Sequence, residues 1–240
     1  NITIAAETEY TLPACTFTAP EGKEFDKWDK GAVGEKVKFS GDTVLKATWK
    51  DKTTTSTTPT TPTTPAVAAV GKELTDASSG SVVKVTSNDS TNPTVEYKGA
   101  TDKKATKITV PDTVTVDGIT YKVESIANNA FKGNKKITSI TIGKNVKTIG
   151  KNAFANCTKL KTVNCKSTVL SKIGATAFNG DKKLTKMTLK STKLTNKNIG
   201  KNAIKGTSSK LVIKAPKKSV KNYQKYFKAK GNKKVKVKKG

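Results

Sequence analysis

Apolar residues between positions 126 and 215 recur on a steady beat. Ile126, Ile149, Ile173 and Ile199 open successive units whose starts lie 23, 24 and 26 residues apart. Five residues into each unit comes a large apolar side chain: Phe131, Phe154, Phe178 or Ile204. A turn follows at Gly133, Asn156, Gly180 or Gly206, residue types that tolerate positive φ at little cost. Then Ile137, Ile140 and Ile142, Leu160, Val163 and Cys165, and Leu184, Met187 and Leu189 obey an L-x-x-L-x-L spacing. Its last step has period two, so it predicts a short strand with one face inward. Units of this length bury their apolar face only against one another, which is the mark of a solenoid. Stacked strands would form a parallel sheet, with the Phe positions laddered inside. The intervening Ser139, Thr141, Thr162, Asn164, Lys186 and Thr188 would line one solvent face, and they are the candidate ligand-facing residues.

The flanks read as caps, which a solenoid needs to cover its end units. Across residues 67–125, VVKVTS, TVEYKG, KITVPDTVTV and ITYKVESI alternate as strands, with a hairpin signal at Asp117-Gly118. Ile108, Val110 and Pro111 look like the strand of an irregular first unit, 32 residues before Ile140. Across residues 216–240, Pro216 starts a helix whose stripe is Val220, Tyr223 and Phe227, and Val235 and Val237 supply a last strand. The expectation is therefore four to five repeats over 126–215, an N-terminal hairpin cap over 67–125 and a helix-strand cap over 216–240.

Residues 1–50 alternate differently. NITIAAETEYTLP, EFDKWDK, EKVKFS and DTVLKATWKD read as strands, with turns at Glu21-Gly22 and Gly41-Asp42. Tyr10, Leu12, Phe17, Phe25, Trp28, Val37, Val44, Leu45, Ala47 and Trp49 are its expected core, a small one for a free-standing unit. Residues 51–66, DKTTTSTTPTTPTTPA, cannot build a core and predict an extended spacer of roughly 3.1 Å per residue.

The AF-x-G/N-x-x-x-L-x-x-I-x-I pattern with its I-G-x-x-A-F restart resembles the BspA-like leucine-rich repeats of bacterial surface proteins. The resemblance implies a mainly β, non-enzymatic solenoid on a secreted or surface-anchored protein, attaching to matrix proteins, other bacteria or glycans. In residues 1–50, Y-x-L-P (Tyr10 to Pro13), P-x-G-x-x-F-x-x-W (Pro20 to Trp28) and T-V-x-x-A-x-W (Thr43 to Trp49) resemble the Listeria-Bacteroides repeat, the internalin B-repeat type. That implies a small, separate β-grasp-like spacer of Gram-positive surface proteins.

Charge adds a second picture. All 46 basic residues are Lys; residues 126–240 hold 31 of them against one acid, Asp181, and so account for the whole net charge of +28. Such a field attracts polyanions in a salt-dependent way. The competing reading is that Lys at turn positions such as Lys135, Lys136, Lys182 and Lys183 simply solvate the solenoid's rim and suppress edge pairing. Without Arg for bidentate reading, and with the aromatics assigned to the interior, sequence-specific nucleic-acid binding is not expected.

Catalytic chemistry is sparse. With no His there is no Ser-His or Cys-His catalysis and no imidazole metal site. Asp181 cannot form a carboxylate pair within the repeats, and three Cys are too few for structural zinc. Cys157 and Cys165 read as small buried apolar residues rather than a disulfide. No catalytic residue, cofactor or metal is expected. No apolar run reaches the ~18 residues of a membrane span. The start at Asn1 reads as internal or processed, with export signal and anchor out of view. Leu12-Pro13-Ala14-Cys15-Thr16 lacks the Thr-Gly and apolar tail of a wall-sorting signal.

The expected function is non-enzymatic binding by a monomer, secreted or at a Gram-positive type of surface, to an extracellular protein or glycan through the repeats. Two alternatives stay open. One is an electrostatic module gripping teichoic acid or glycosaminoglycan through Lys; the other is a set of accessory modules on a larger exported enzyme.

Overall fold

Alternation of inward apolar and outward polar residues at period two suits a strand that buries one face. In the computed structural model, which describes residues 2–4, 9–21, 23–40, 43–51 and 66–240, the L-x-L runs are strands of this kind. The chain divides into two units, Asn1–Pro62 and Thr63–Gly240. The Thr/Pro tract from 52 to 65 and the Gly41-Asp42 turn lie outside the described residues.

The larger unit is a mainly β solenoid. Its main sheet is six parallel strands, Lys107–Val110, Ser139–Ile142, Thr162–Cys165, Lys186–Leu189, Val212–Ala215 and Lys236–Lys239, paired in chain order. The register puts Ile108, Ile140, Val163, Met187, Ile213 and Val237 in one inward column. Six rungs thus form where four to five repeats were expected. The first is set apart from the second by a hairpin insertion, and the last by a helix, so neither keeps the beat of the central units. Chain from KITV to TVTV is not one strand. Pro111 has fixed φ and no N–H to give a ladder, and there the chain turns from the main sheet into Thr113–Val116, which pairs antiparallel with Ile119–Ile126. Asp117 (φ 51°) and Gly118 (φ 76°) make the turn between them.

A second sheet runs along the other side. Glu73–Asp76, Ser81–Ser87 and Thr94–Ala100 are antiparallel, and Thr94–Ala100 then pairs in parallel with Ile119–Ile126, which leads to Thr148–Ile149 and Lys172–Ile173. The interior holds a ladder of stacked rings. Tyr97 and Phe131 have centroids 6.0 Å apart, Phe131 and Phe154 5.6 Å, and Phe154 and Phe178 5.2 Å. Offset stacking of this kind adds to the burial of area. The helix Val220–Ala229 buries Tyr223 and Phe227, and the Tyr223 hydroxyl donates to the Ser191 carbonyl at 2.8 Å.

Close rung spacing restricts some positions to small residues. A Cβ on Gly174 would lie 2.5 Å from the Gly150 carbonyl carbon, and one on Gly200 2.2 Å from the Ala175 nitrogen. Next to the ring ladder, Asn129, Asn152, Thr176 and Asn202 all take φ between 56° and 61°. Their side chains link rungs: Asn152 Nδ2 donates to Asn129 Oδ1 at 3.1 Å, and Thr176 Oγ1 donates to Asn152 Oδ1.

Asp181, the one acid of the repeats, is fully buried. Its Oδ1 accepts the Cys157 N–H at 2.8 Å and its Oδ2 has no partner. Loss of solvent pushes its carboxyl up to about 9 from 3.8, so it is protonated at neutral pH. The same turn position holds Asn134 and Asn232 in other rungs. Cys157 and Cys165 are both free and buried, and burial raises their thiols to about 12 and about 11.

Among the described residues of the smaller unit three antiparallel pairs form: Ile2–Ile4 with Thr43–Leu45, Glu9–Thr11 with Lys36–Lys38, and Lys23–Trp28 with Ala47–Asp51. DTVLKATWKD therefore breaks at Lys46, whose N–H turns to Asp29 Oδ1 at 2.9 Å. Leu12, Trp28, Phe39 and Leu45 are buried, and the Trp28 indole donates to the Pro13 carbonyl at 2.7 Å. Phe17 and Val44, expected inside, are 38% and 41% exposed, and Phe39 takes an inner place instead. The break at Lys46 resets which residues face inward, and Val44 points away beside the buried Leu45.

Two outcomes follow for stability, each measured by urea unfolding of the full chain. Phe154→Ala removes the middle of the ring ladder and lowers stability by about 3–5 kcal/mol; Gly174→Ala forces two backbones apart and costs about 1–3 kcal/mol. For Asp181 the folded pKa is raised, so the native state keeps a proton that the unfolded chain has released between pH 3.8 and about 9. Stability falls as pH rises through that window, by up to about 1.4 kcal/mol per unit. Asp181→Asn carries no such proton. It should match the parent near pH 4 and become increasingly more stable toward pH 9; a constant difference at all pH values would show that Asp181 is not protonated in the fold.

Candidate functional site

The outward positions of the main sheet are set by the same alternation that fills its interior. Because strands pair in register, Ser139, Thr162 and Lys186 form one column and Thr141, Asn164 and Thr188 the next. All six residues named from sequence therefore share one face, each half-buried or exposed. Thr162 Oγ1 donates to Ser139 Oγ at 3.0 Å, tying neighbouring rungs across the face.

The face is longer than those six. Lys107 and Thr109 precede them, and Val212 with Lys214 and then Lys236 with Lys238 follow, in the same two columns. Sequence pattern alone misses these positions because the first rung is displaced by the hairpin, the shortened unit from Ile199 lacks the full L-x-x-L-x-L spacing, and Lys236 and Lys238 lie in the stretch that reads as a cap; the K-I-T-V and V-I-K-A strands carry the signal. Lys stands at both ends of the face, at Lys107 and again from Lys186 to Lys238, with hydroxyl and amide groups between and Val212 the one apolar member.

Two shallow depressions mark it. One of about 260 Å³ is lined by Thr162, Val163, Asn164, Lys186 and Thr188. Another of about 360 Å³ is lined by Lys144, Asn164, Lys166, Thr168 and Lys190, at the edge where the strands end. Both offer hydrogen-bond donors and positive charge to a ligand and neither is deep enough to enclose one, so contact would be spread over a surface. Lys144 meets Asp112 at 3.8 Å, an exposed pair of small worth. With Asp181 inside, no acidic side chain from residue 126 onward reaches solvent.

Among the described residues no group of three His, Cys, Asp or Glu stands close enough to hold a metal ion. No helix among them is long and apolar enough to cross a membrane.

Comparison with known proteins completes the picture. Residues 101–234 match six copies of the BspA type leucine-rich repeat region, more than half of the chain. No curated protein matches the sequence. Similar solved structures include a leucine-rich repeat protein of Bacteroides ovatus, 28% identical with a TM-score of 0.45, the alignment covering 57% of this chain and 36% of that one. Another from Bacteroides capillosus is 23% identical with a TM-score of 0.43, covering 60% of this chain and 97% of that one. A leucine-rich cell surface protein of Faecalibacterium prausnitzii is 20% identical with a TM-score of 0.39, covering 61% and 55%. The chain spans about a third of the length of the first of these. With six matched copies and six registered rungs, the chain belongs to the BspA-type leucine-rich repeat family.

Proposed function

We propose that this chain is a non-enzymatic binding region of a secreted or cell-surface protein, attaching to an extracellular protein or glycan through the outward face of its main sheet. Membership of a repeat family suited to protein binding and adhesion supports the coarse reading. The observation that carries the finer one is the face itself. Two registered columns, polar at every position but Val212, run across six rungs, held by backbone pairing rather than by loops. Ser139, Thr141, Thr162, Asn164, Lys186 and Thr188 form its centre. A ligand laid there meets hydroxyl, amide and ammonium groups at a repeat of roughly 4.8 Å without any loop having to order first.

In this reading residues 67–125 close the start of the solenoid and the stretch after Pro216 helps to close its end. The Thr/Pro tract from 51 to 66 spaces the solenoid from the module at 1–50, which serves as one bead of a β-grasp-like string of the Listeria-Bacteroides type. The chain acts as a monomer, and no step requires a cofactor.

The test is binding of the full chain to immobilised fibronectin, fibrinogen and a neutral glycan panel at physiological salt. Thr162→Trp together with Thr188→Trp blocks the centre of the face while leaving every inward residue in place. The expected result is at least about tenfold weaker binding to whichever probe the parent captures, with an unchanged unfolding midpoint. Unaltered binding by the double variant would sink the sheet-face reading, and capture of no probe by the parent would point to a spacer.

A further inference from the structure

Each rung enters the main sheet through the same four-residue turn, and the third residue of that turn is always Lys. Lys104, Lys136, Lys159, Lys183, Lys210 and Lys234 stand immediately before the apolar residues that open the six strand segments. In five rungs the turn is closed by a backbone bond to the carbonyl three residues back: Ala105 to Asp102, Leu160 to Cys157, Leu184 to Asp181, Leu211 to Ser208 and Val235 to Asn232. In the second rung Asn134 Oδ1 takes that role, accepting from Ile137 at 3.1 Å. Side-chain oxygens also fix the Lys itself: the N–H groups of Lys104, Lys136, Lys210 and Lys234 donate to Asp102 Oδ1, Asn134 Oδ1, Ser208 Oγ and Asn232 Oδ1 at 2.7, 2.8, 3.2 and 3.0 Å. All six Lys are exposed and none pairs with an acid.

We propose that this edge is a track for a linear anionic polysaccharide, one that carries carboxylate or sulfate groups along an extended chain. No other position of the repeat holds Lys in every rung; the outward sheet columns mix Lys with Ser, Thr, Asn and Val. Rung stacking spaces the six by roughly 4.8 Å, which spans about 24 Å of straight track. Neighbouring charges at that spacing lie well inside the ~8 Å screening length, so they repel one another and hold counterions that a polyanion would release. Asp102 offsets charge at the first rung only, and from Lys136 onward no carboxylate side chain is exposed to compete. An extended sugar chain advances by a comparable length per residue, so its anionic groups meet the track in step. Duplex nucleic acid fits less well, because the track offers neither Arg forks nor exposed rings. The track Lys stand two or three residues before the sheet-face columns and their substitution leaves those columns unaltered, so either surface can fail its test while the other passes.

The experiment is binding of the full chain to surface-bound heparin between about 50 and 200 mM salt, with neutral dextran and duplex DNA as comparisons. The parent should bind heparin and lose on the order of 100-fold in affinity across that range. Lys159→Gln, Lys183→Gln and Lys210→Gln combined should reduce the slope of log K against log salt by about 2 to 3. A second triple, Lys151→Gln, Lys172→Gln and Lys201→Gln, removes equal charge from outside the track and should leave the slope nearly unchanged. Equal losses in the two triples would overturn the proposal in favour of a diffuse field. So would absence of heparin binding at about 50 mM salt, equal binding of dextran, or tighter binding of DNA.

Discussion

Backbone pairing between successive rungs, at roughly 4.8 Å, is the constraint on which the solenoid depends. It runs along the main sheet, along the Ile126, Ile149 and Ile173 side, and along the turn that carries the rings, where Phe131, Phe154 and Phe178 donate to Ala153, Ala177 and Ala203 at 2.7, 2.8 and 2.8 Å. Each residue therefore sees, above and below, the residue of the same position in the neighbouring units. Aromatic positions become stacks, and glycines such as Gly174 are pinned by backbone that passes too near for a side chain. The left-handed residue that precedes each Ala-Phe or Ala-Ile pair becomes a column of short polar groups. Thr176 is the odd member of that column, a β-branched residue at φ 56°, held by its bond to Asn152.

The same repetition acts on charge. A column that collects Lys has no neighbours to dilute it, so a modest bias in each unit becomes a line of ammonium groups. Lys on the last strand has a structural use of its own. The last strand leaves one side unpaired, and Lys236, Lys238 and Lys239 on it are exposed. Charged side chains on an open edge discourage pairing with another chain. Asp181 shows the opposite response: with no cation facing it inside, it becomes neutral in place of an amide that other rungs supply.

The two units differ in how they can be stable. The solenoid joins 41 buried apolar residues into one continuous core, while the described residues of the smaller unit include four, gathered around Trp28. A core of that size leans on a few contacts, the rings of Phe17 and Phe25 against the indole among them.

What the sequence determined by itself was whatever repeats. The beat of Ile126, Ile149, Ile173 and Ile199, the ring positions and the inward triads such as Ile137, Ile140 and Ile142 specify a parallel solenoid, and with it the shared face of Ser139, Thr162 and Lys186. Pattern is enough there because identical units admit one register. Tertiary structure decided whatever depends on a neighbour of different kind. Pro111 sends KITV into one sheet and TVTV into the other; Tyr97, from outside the beat, caps the ring ladder; and Lys236–Lys239 joins as a sixth rung beyond an inserted helix. The Lys line at the turn was also hidden, although each member was visible. Units of 23 to 26 residues, with the first rung displaced by the hairpin, bring those Lys together only when pairing fixes which turn lies over which.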